Sequence, residues 1–193
     1  MAGTYQTTGV ILRKRDFRER DRLYTVLTPD RGKLDLKATG VRRMRSKWAG
    51  HLECWSSARF LVAKGRSYDI VAGVWPDQRF WLLTSQTDKW ILAGYWTELV
   101  DSLVPWQEPN KAVYETTVNA LRDLVDCESL VQMRKWLFRW TSKLLSQTGY
   151  AGWTDEQPKP LHLFLQTITD RPLMSFPMVE YVLEYETSPA NSV

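Results

Sequence analysis

The sequence predicts a protein of two domains, in which a small closed β-barrel precedes an all-α helical domain. Three observations lead to this prediction. Five short β-type segments lie within the first 80 residues, with no helical pattern between them. After Pro76 the hydrophobic period changes to one that is compatible with helices. A length of 193 residues suits one large domain or two compact ones.

The first three β-type segments are predicted from composition and turn chemistry. Residues 8–13 are rich in β-branched and apolar side chains, as is usual for a strand within a sheet. Residues 22–39 show two alternating segments around Pro29 and Gly32, where proline presets φ and glycine accepts a positive φ. This pattern indicates a β-hairpin.

The last two β-type segments form a second predicted pair. Residues 55–63 and 67–75 are joined by the short turn Lys64-Gly65-Arg66. Five short strands without an intervening helix favour a small closed barrel. The partly open five-stranded OB barrel is the common solution of this kind that binds oligonucleotides. We therefore expect an OB-fold domain over residues 1–80.

The remaining residues, 81–193, carry helical patterns separated by loop signals. Ser85 and Asp88 resemble a capping box, which indicates the start of the first helix. The residues between 149 and 160 include glycine and two prolines and predict a loop. The predicted helices are one that ends before Pro105, one that follows Asn110, one over 128–147, and two short ones over 161–169 and 177–186.

Charge is distributed unevenly along the chain. Residues 1–80 contain 17 Lys and Arg against 8 Asp and Glu, whereas residues 81–193 contain 9 against 14. Such asymmetry between two halves indicates that one half handles a polyanion. Nucleic acid is the partner that this pattern favours for the barrel. The alternative is a basic domain that is neutralised by docking on the acidic one.

The densest basic segment lies between the two predicted strand pairs. Arg42, Arg43, Arg45 and Lys47 place four cations in six residues on a loop at the barrel rim. Such a loop can direct its side chains at a phosphate backbone, and each contact releases counterions. Trp48 beside them is a candidate platform for stacking a base. The alternatives are a solvated charge run and a Trp48 that packs against the barrel end.

Further cations extend this candidate DNA-binding surface. Lys64 and Arg66 flank a glycine turn, and both are candidates for phosphate contacts. Arg13 and Arg15 open a second cluster, in which acidic residues alternate with basic ones as far as residue 22. This mixed cluster is equally compatible with DNA contacts and with an internal lattice of ion pairs.

Several function classes find no support in the sequence. No Gly-rich phosphate loop, metalloprotease helix or nucleophile elbow is present, so we expect neither an enzyme nor a cofactor. His51 and Cys54 are not expected to form a catalytic pair, since no second histidine lies nearby. The two cysteines, Cys54 and Cys127, are far apart, which suits a reducing cytoplasm and no disulfide framework. No apolar run is long enough for a membrane-spanning helix, and the polar start of the chain does not suggest a secretory signal.

Residues 8–23, TGVILRKRDFRERDRL, resemble the opening of the bacterial recombination mediator family RecO. The similarity continues in order and spacing through four further segments. These are residues 28–34, 40–43, 49–53 and 64–66. Weaker similarity covers residues 95–105, 144–150 and 170–175, so the resemblance spans most of the chain.

This resemblance implies an N-terminal OB-fold, a helical C-terminal domain and non-catalytic work in DNA gap repair. It implies binding of single- and double-stranded DNA, annealing of complementary strands, and a cytoplasmic, nucleoid-associated location. The implied partners are RecR, the tail of the single-stranded-DNA-binding protein and, indirectly, the RecA filament. A generic OB module that binds structured RNA is the alternative.

The sequence departs from the family pattern in the second domain. Many members carry a four-cysteine zinc site there, but the corresponding stretch after Tyr150 has no cysteine, so we expect no zinc. The chain is also shorter than is usual for the family in that region. Met174 stands where a basic residue is common, which weakens the expectation of DNA contacts at that end.

The third predicted helix offers a candidate site for the tail of the single-stranded-DNA-binding protein. In such systems this tail is acidic and ends in an aromatic residue. Lys135, Arg139 and Lys143 recur at i, i+4 and i+8 and so share one helix face. At about 100° per residue, Trp136 falls beside this basic stripe. The alternative is a solvated face with Trp136 packed in the domain core.

Overall fold

The structure, a computed structural model, describes residues 3–42, 50–78, 80, 82–150, 161–169 and 171–184. Its strands are β1 (Thr4–Phe17), β2 (Asp21–Thr28), β3 (Gly32–Ala38), β4 (Ser57–Ala63) and β5 (Asp69–Gln78). Its helices are α1 (Leu82–Ser85), α2 (Thr87–Leu103), α3 (Lys111–Val125), α4 (Leu130–Gln147), α5 (Leu161–Ile168) and α6 (Phe176–Glu184). No helix of the described part of the chain is long and apolar enough to cross a membrane.

The five strands form a closed barrel in the order β1-β2-β3-β5-β4. All neighbouring strands are antiparallel except β3 and β5, which pair in parallel through Leu36 with Asp69 and Lys37 with Ile70. This barrel, followed by helices, confirms the predicted OB-fold and helical class.

The barrel interior is filled by alternate residues of the strands. Buried side chains from all five strands form one cluster, and the ends of the loop between β3 and β4 join it through Val41 and Leu52. The largest of these side chains, Tyr24 and Phe60, are fully buried. Alternation places these side chains inside the barrel, and the unbroken buried runs over residues 9–12 and 23–28 show that part of the outer face is buried as well.

The chain forms two compact units, one of Met1–Phe80 with Val104–Val118 and one of Trp81–Leu103 with Asn119–Val193. Residues 104–118 thus group with the barrel, although the sequence assigned them to the helical domain. The backbone N–H of Gln107 donates to the carbonyl of Lys33 at 3.1 Å, and Lys33 Nζ lies 4.6 Å from the centre of the Trp106 ring. These contacts hold the segment on the start of β3.

The helical unit is organised around tryptophan and tyrosine side chains. Trp96 and Trp136 pack edge to face, with ring centroids 5.9 Å apart. Tyr95, which is fully buried, pairs its hydroxyl with that of Thr141 at 3.3 Å. Because Tyr95 and Trp96 of α2 both contact α4, this helix pair carries much of the core.

The predicted start of the first helix is wrong. Ser85 does not cap it; Ser85 ends α1, and its hydroxyl donates to the carbonyl of Leu82 at 3.0 Å. The next helix begins at Thr87, where the carbonyl of Gln86 accepts the N–H of Trp90 at 2.9 Å. Side chains cap two later helices: Asn110 accepts the N–H of Val113 at the start of α3, and Ser129 accepts the N–H of Gln132 at the start of α4.

Gly32 at the start of β3 is predicted to tolerate no side chain. Its φ is +70°, and a Cβ there would lie 2.4 Å from the carbonyl oxygen of Glu108. Gly32→Ala should therefore lower the free energy of unfolding by more than about 2 kcal/mol, measured by urea denaturation. Gly94→Ala in α2 is the control: nothing lies within 4 Å of its Cβ position. That change should stabilise the protein by about 0.5–1 kcal/mol, and equal effects would contradict this account.

Candidate nucleic-acid interface

Two turns meet at one rim of the barrel. Phe17 ends β1 and Tyr68 precedes β5, and their rings pack edge to face with centroids 5.5 Å apart. The guanidinium of Arg18 lies 5.4 Å from the centre of the Phe17 ring. In OB folds the loops after the first strand and between the fourth and fifth strands flank the oligonucleotide-binding face. The structure thus joins these two loops through an aromatic pair.

The β4–β5 turn is fixed by Asp69. One carboxylate oxygen of Asp69 accepts the backbone N–H of Gly65 at 3.1 Å, and the other accepts the Tyr5 hydroxyl at 2.6 Å. Burial, and then the Asp69 carboxylate, raise the pKa of Tyr5 well above its usual value, so the hydroxyl remains a donor. A Cβ at Gly65 would lie 1.9 Å from the carbonyl oxygen of Tyr68, so the turn has no room for a larger residue.

This arrangement exposes cations on both turns. Arg18 and Arg20 are exposed on the β1–β2 turn, and Lys64 and Arg66 are exposed on the β4–β5 turn. Within the described residues, none of these four side chains has a carboxylate partner. We call these four residues, together with Phe17 and Tyr68, the rim surface. It combines positive charge with aromatic rings, as single-strand binding sites do.

Other predicted DNA contacts on β1 and the following loop are already paired. Arg15 donates to Asp35 at 2.6 Å, and the partly buried Arg13 lies 3.5 Å from the Thr25 hydroxyl. Arg42 contacts the carboxylate of Asp16 at 3.3 Å. The mixed cluster therefore contains ion pairs on the strands, and a DNA role for Arg13, Arg15 and Arg42 stays a prediction.

Asp16 is the centre of these ion pairs. It accepts a hydrogen bond from Arg22 at 2.8 Å in addition to its contact with Arg42. The hydrogen bond from Arg22, with the nearby charge of Arg42, lowers the pKa of the exposed Asp16 carboxyl. The carboxylate thus stays charged at neutral pH and occupies both arginines.

Four predicted residues, Arg43, Arg45, Lys47 and Trp48, lie outside the described residues. Lys64 and Arg66 are the predicted residues that the structure places on the rim surface. Sequence reasoning missed the aromatic pair of Phe17 and Tyr68, which stand 51 positions apart and meet only when the barrel closes. A signal was present, since each aromatic residue adjoins a basic turn of a predicted OB barrel.

On α4, the predicted basic residues Lys135, Arg139 and Lys143 are all exposed. For Trp136 the structure agrees with the alternative, a side chain packed in the core, and not with a place beside the basic stripe: the side chain is 4% exposed, and its Nε1 donates to the carbonyl of Ala120 at 2.7 Å. The indole packs in the core because this hydrogen bond and the Trp96 contact hold it inward. Whether these residues bind a partner's tail stays a prediction.

The basic face of α4 nevertheless carries a pocket. Its volume is about 480 Å³, and Val131 at its edge is 50% exposed. The pocket is lined by Val131, Arg134, Lys135, Phe138, Arg139 and Ser142. We call it the α4 pocket; it brings three cations next to apolar surface, and one of these cations, Arg139, also contacts the carboxylate of Asp123 at 3.5 Å.

The described residues offer neither a cluster of metal ligands nor a thiol of lowered pKa. Among the described residues, no group of three or more histidine, cysteine or acidic side chains could hold a metal ion. Burial raises the pKa of the Cys54 thiol and of the Cys127 thiol. Both thiols are therefore poor nucleophiles at neutral pH, because the thiolate is the reactive form.

The raised thiol pKa values predict slow modification. At pH 7.5, Cys54 and Cys127 should react with a disulfide reagent more slowly than free cysteine, because less thiolate is present in the folded protein. Unfolding in guanidinium should bring both rates to that of free cysteine. Rapid reaction of either thiol in the folded protein would contradict the assigned environments.

Two models of one protein family match this chain. The family model described as "Recombination protein O N terminal" matches residues 1–74, and the model described as "Recombination protein O C terminal" matches residues 85–157. The N-terminal and C-terminal models of one family thus match in order along the sequence, and together they cover most of the chain.

Curated relatives with the name DNA repair protein RecO are similar to this chain. One from Roseiflexus sp. strain RS-1 is 37% identical over 120 residues, which is 62% of this chain and 42% of the relative. One from Desulforudis audaxviator is 31% identical over 146 residues, covering 76% and 57%. One from Synechococcus elongatus is 31% identical over 156 residues, covering 80% and 58%. The chain spans about half the length of the curated relatives it matches.

Proposed function

Because the chain belongs to the RecO family, we propose that it is a non-enzymatic recombination mediator in DNA gap repair. In this proposal it binds single- and double-stranded DNA, anneals complementary strands, and acts with RecR and single-stranded-DNA-binding protein to load RecA. The names of the curated relatives support the assignment to DNA repair. The proposed site of action is the bacterial nucleoid.

The part of this proposal that concerns DNA binding rests on one observation, the rim surface. Its four exposed cations can exchange condensed counterions for phosphate contacts, which supplies affinity without sequence preference. Its aromatic pair adds surface on which unpaired bases can stack. Because the Asp69 contacts hold the β4–β5 turn in place, little conformational entropy is lost there on binding.

Removal of rim cations should reduce the salt dependence of DNA binding. The triple change Arg18→Ala, Lys64→Ala and Arg66→Ala should lower the slope of log affinity against log salt by about 0.7 per lost contact on single strands. Fluorescence anisotropy with a labelled oligothymidine at several salt concentrations measures this slope.

Lys111→Ala is the matched control for charge. Lys111 is exposed and pairs with Glu115 at 3.6 Å on α3, away from the rim surface in sequence. This change should leave the slope unaltered. An unaltered slope in the triple variant would assign the rim cations to a solvated surface and would contradict the proposed binding site.

The proposal for the tail of the single-stranded-DNA-binding protein now centres on the α4 pocket rather than on Trp136. An acidic peptide is attracted by Arg134, Lys135 and Arg139, and a terminal aromatic residue can bury its ring against Val131 and Phe138. Lys143 lies 5.0 Å from the Trp140 ring and extends the positive charge along the helix.

Two substitutions in the α4 pocket test this proposal. Val131→Asp removes apolar surface and Lys135→Glu reverses a charge, so each should weaken binding of a short acidic peptide ending in Phe by about tenfold or more, that is by about 1.4 kcal/mol. Isothermal titration calorimetry measures the peptide affinity, and the affinity for naked DNA should stay unaltered.

Lys111→Glu provides the same charge reversal outside the α4 pocket and should bind the peptide normally. Normal peptide binding by both pocket variants, with folding verified by circular dichroism, would place the tail site elsewhere on the protein.

A further inference from the structure

Trp75 on the outer face of β5 is unusually exposed for an aromatic residue in a strand. Its side chain is 48% exposed. A Cβ at Gly73 would lie 2.9 Å from Cη2 and 3.2 Å from Cζ3 of the Trp75 ring, and 3.5 Å from Cβ of Leu61. The six-membered ring therefore covers the space that a side chain at Gly73 would occupy. The indole rests on the backbone of its own strand and exposes its other surface to solvent.

The alternation of β4 and β5 places a cation beside this ring. Phe60 on β4 belongs to the barrel core and Val74 on β5 packs against it, so their neighbours along each strand point outward. Arg59 on β4 is the direct cross-strand partner of Trp75. Side chains directly opposite each other on one face are about 4.5–5.5 Å apart at Cβ.

Arg59 is available for an external ligand. It is exposed, and no hydrogen-bond or ion-pair partner of its side chain is found within the described residues. This distinguishes Arg59 from Arg15 and Arg22, whose guanidinium groups are held by carboxylates. A half-exposed indole and a guanidinium with no partner among the described residues thus share one face of the barrel.

We propose that Trp75 and Arg59 form a second nucleic-acid contact, in which an unpaired base of single-stranded DNA stacks on the indole and the adjacent phosphate binds the guanidinium. The choice of DNA as ligand rests on the proposed function. Residues 1–80 carry 17 Lys and Arg against 8 Asp and Glu, so the unit that bears this face has charge complementary to phosphate.

A single flat ring beside one cation fits a base and its phosphate better than an apolar protein anchor. The residues paired along the same face from β1 are Thr8, opposite Arg59, and Gln6, opposite Leu61. These polar neighbours give little apolar surface in which a protein side chain could be buried. A nucleobase needs only a π-face, and stacking of this kind tolerates any base.

This contact is separate from the rim surface along the barrel. The last β4–β5 pair before the turn is Ala63 with Ile70. Arg59 lies on β4 four residues before Ala63, and so away from the turn. At roughly 3.3 Å per residue this separation is about 13 Å. A longer single strand can reach both places, whereas a short one bound at the rim cannot.

We call the Trp75 ring on Gly73 the platform, and two variants of it test the proposal by different means. Trp75→Leu removes the ring, whereas Gly73→Val keeps the ring but forces it off the strand. Each should weaken binding of an oligothymidine of about 16 nucleotides by about 5- to 150-fold, the range expected for one lost stacking contact. Binding of a duplex of equal length should change less than twofold, because its bases are not available for stacking.

Trp90→Ala is the matched control, since Trp90 on α2 is equally exposed, at 50%. It should bind the oligothymidine normally, and thermal unfolding verifies that all three variants fold. Normal oligothymidine binding by both platform variants, or an equal loss on single strand and duplex, overturns the proposal. If these variants bind DNA normally but recruit a protein less well, the platform serves a protein partner and the proposal is likewise overturned.

The wild-type protein and the rim triple variant separate this proposal from the proposed function. A wild-type protein that binds no DNA at any salt concentration would contradict both the proposed function and the contact at Trp75. Loss of DNA binding in the rim variant with normal binding in the platform variants would contradict only the contact at Trp75.

Discussion

The parallel pairing of β3 with β5 is the contact on which the rest of the structure depends. Two residue pairs, Leu36 with Asp69 and Lys37 with Ile70, join β3 to the β4–β5 hairpin, whose other strand already pairs with β1. This pairing closes the barrel and leaves no open sheet edge. It also places Asp69 where it accepts hydrogen bonds from Tyr5 and from the β4–β5 turn. The rim surface exists because closure brings that turn to Phe17.

Within this barrel, position decides which cations remain available. Arginines on the strands lie opposite carboxylates on neighbouring strands, as Arg15 does with Asp35, and such exposed pairs contribute little to stability. The cations of the β1–β2 and β4–β5 turns have no carboxylate partner within the described residues, as for Arg66, whereas Arg42 in the β3–β4 loop is paired with Asp16. The positive charge that an incoming polyanion meets is therefore concentrated at these two turns and at Arg59.

Much of the fold could be predicted from the sequence because strand alternation and turn residues are local signals. The site was harder to predict because it depends on closure: Phe17 and Tyr68 meet only in the finished barrel. The sequence left two positions open for Trp136, because its place on the helical wheel borders both faces; the hydrogen bond to the carbonyl of Ala120 holds it in the core. Residues 104–118 group with the barrel through Lys33 and Trp106, a contact that no local pattern indicates.

The central claim is that the rim surface of the barrel binds single-stranded DNA. Hydrogen–deuterium exchange with and without a saturating oligothymidine tests it most directly. We expect the amides of residues 17–20 and 64–69 to exchange more slowly in the complex, with no change over α4. Protection over α4 alone, or no protection at either turn while DNA is bound, would contradict the account.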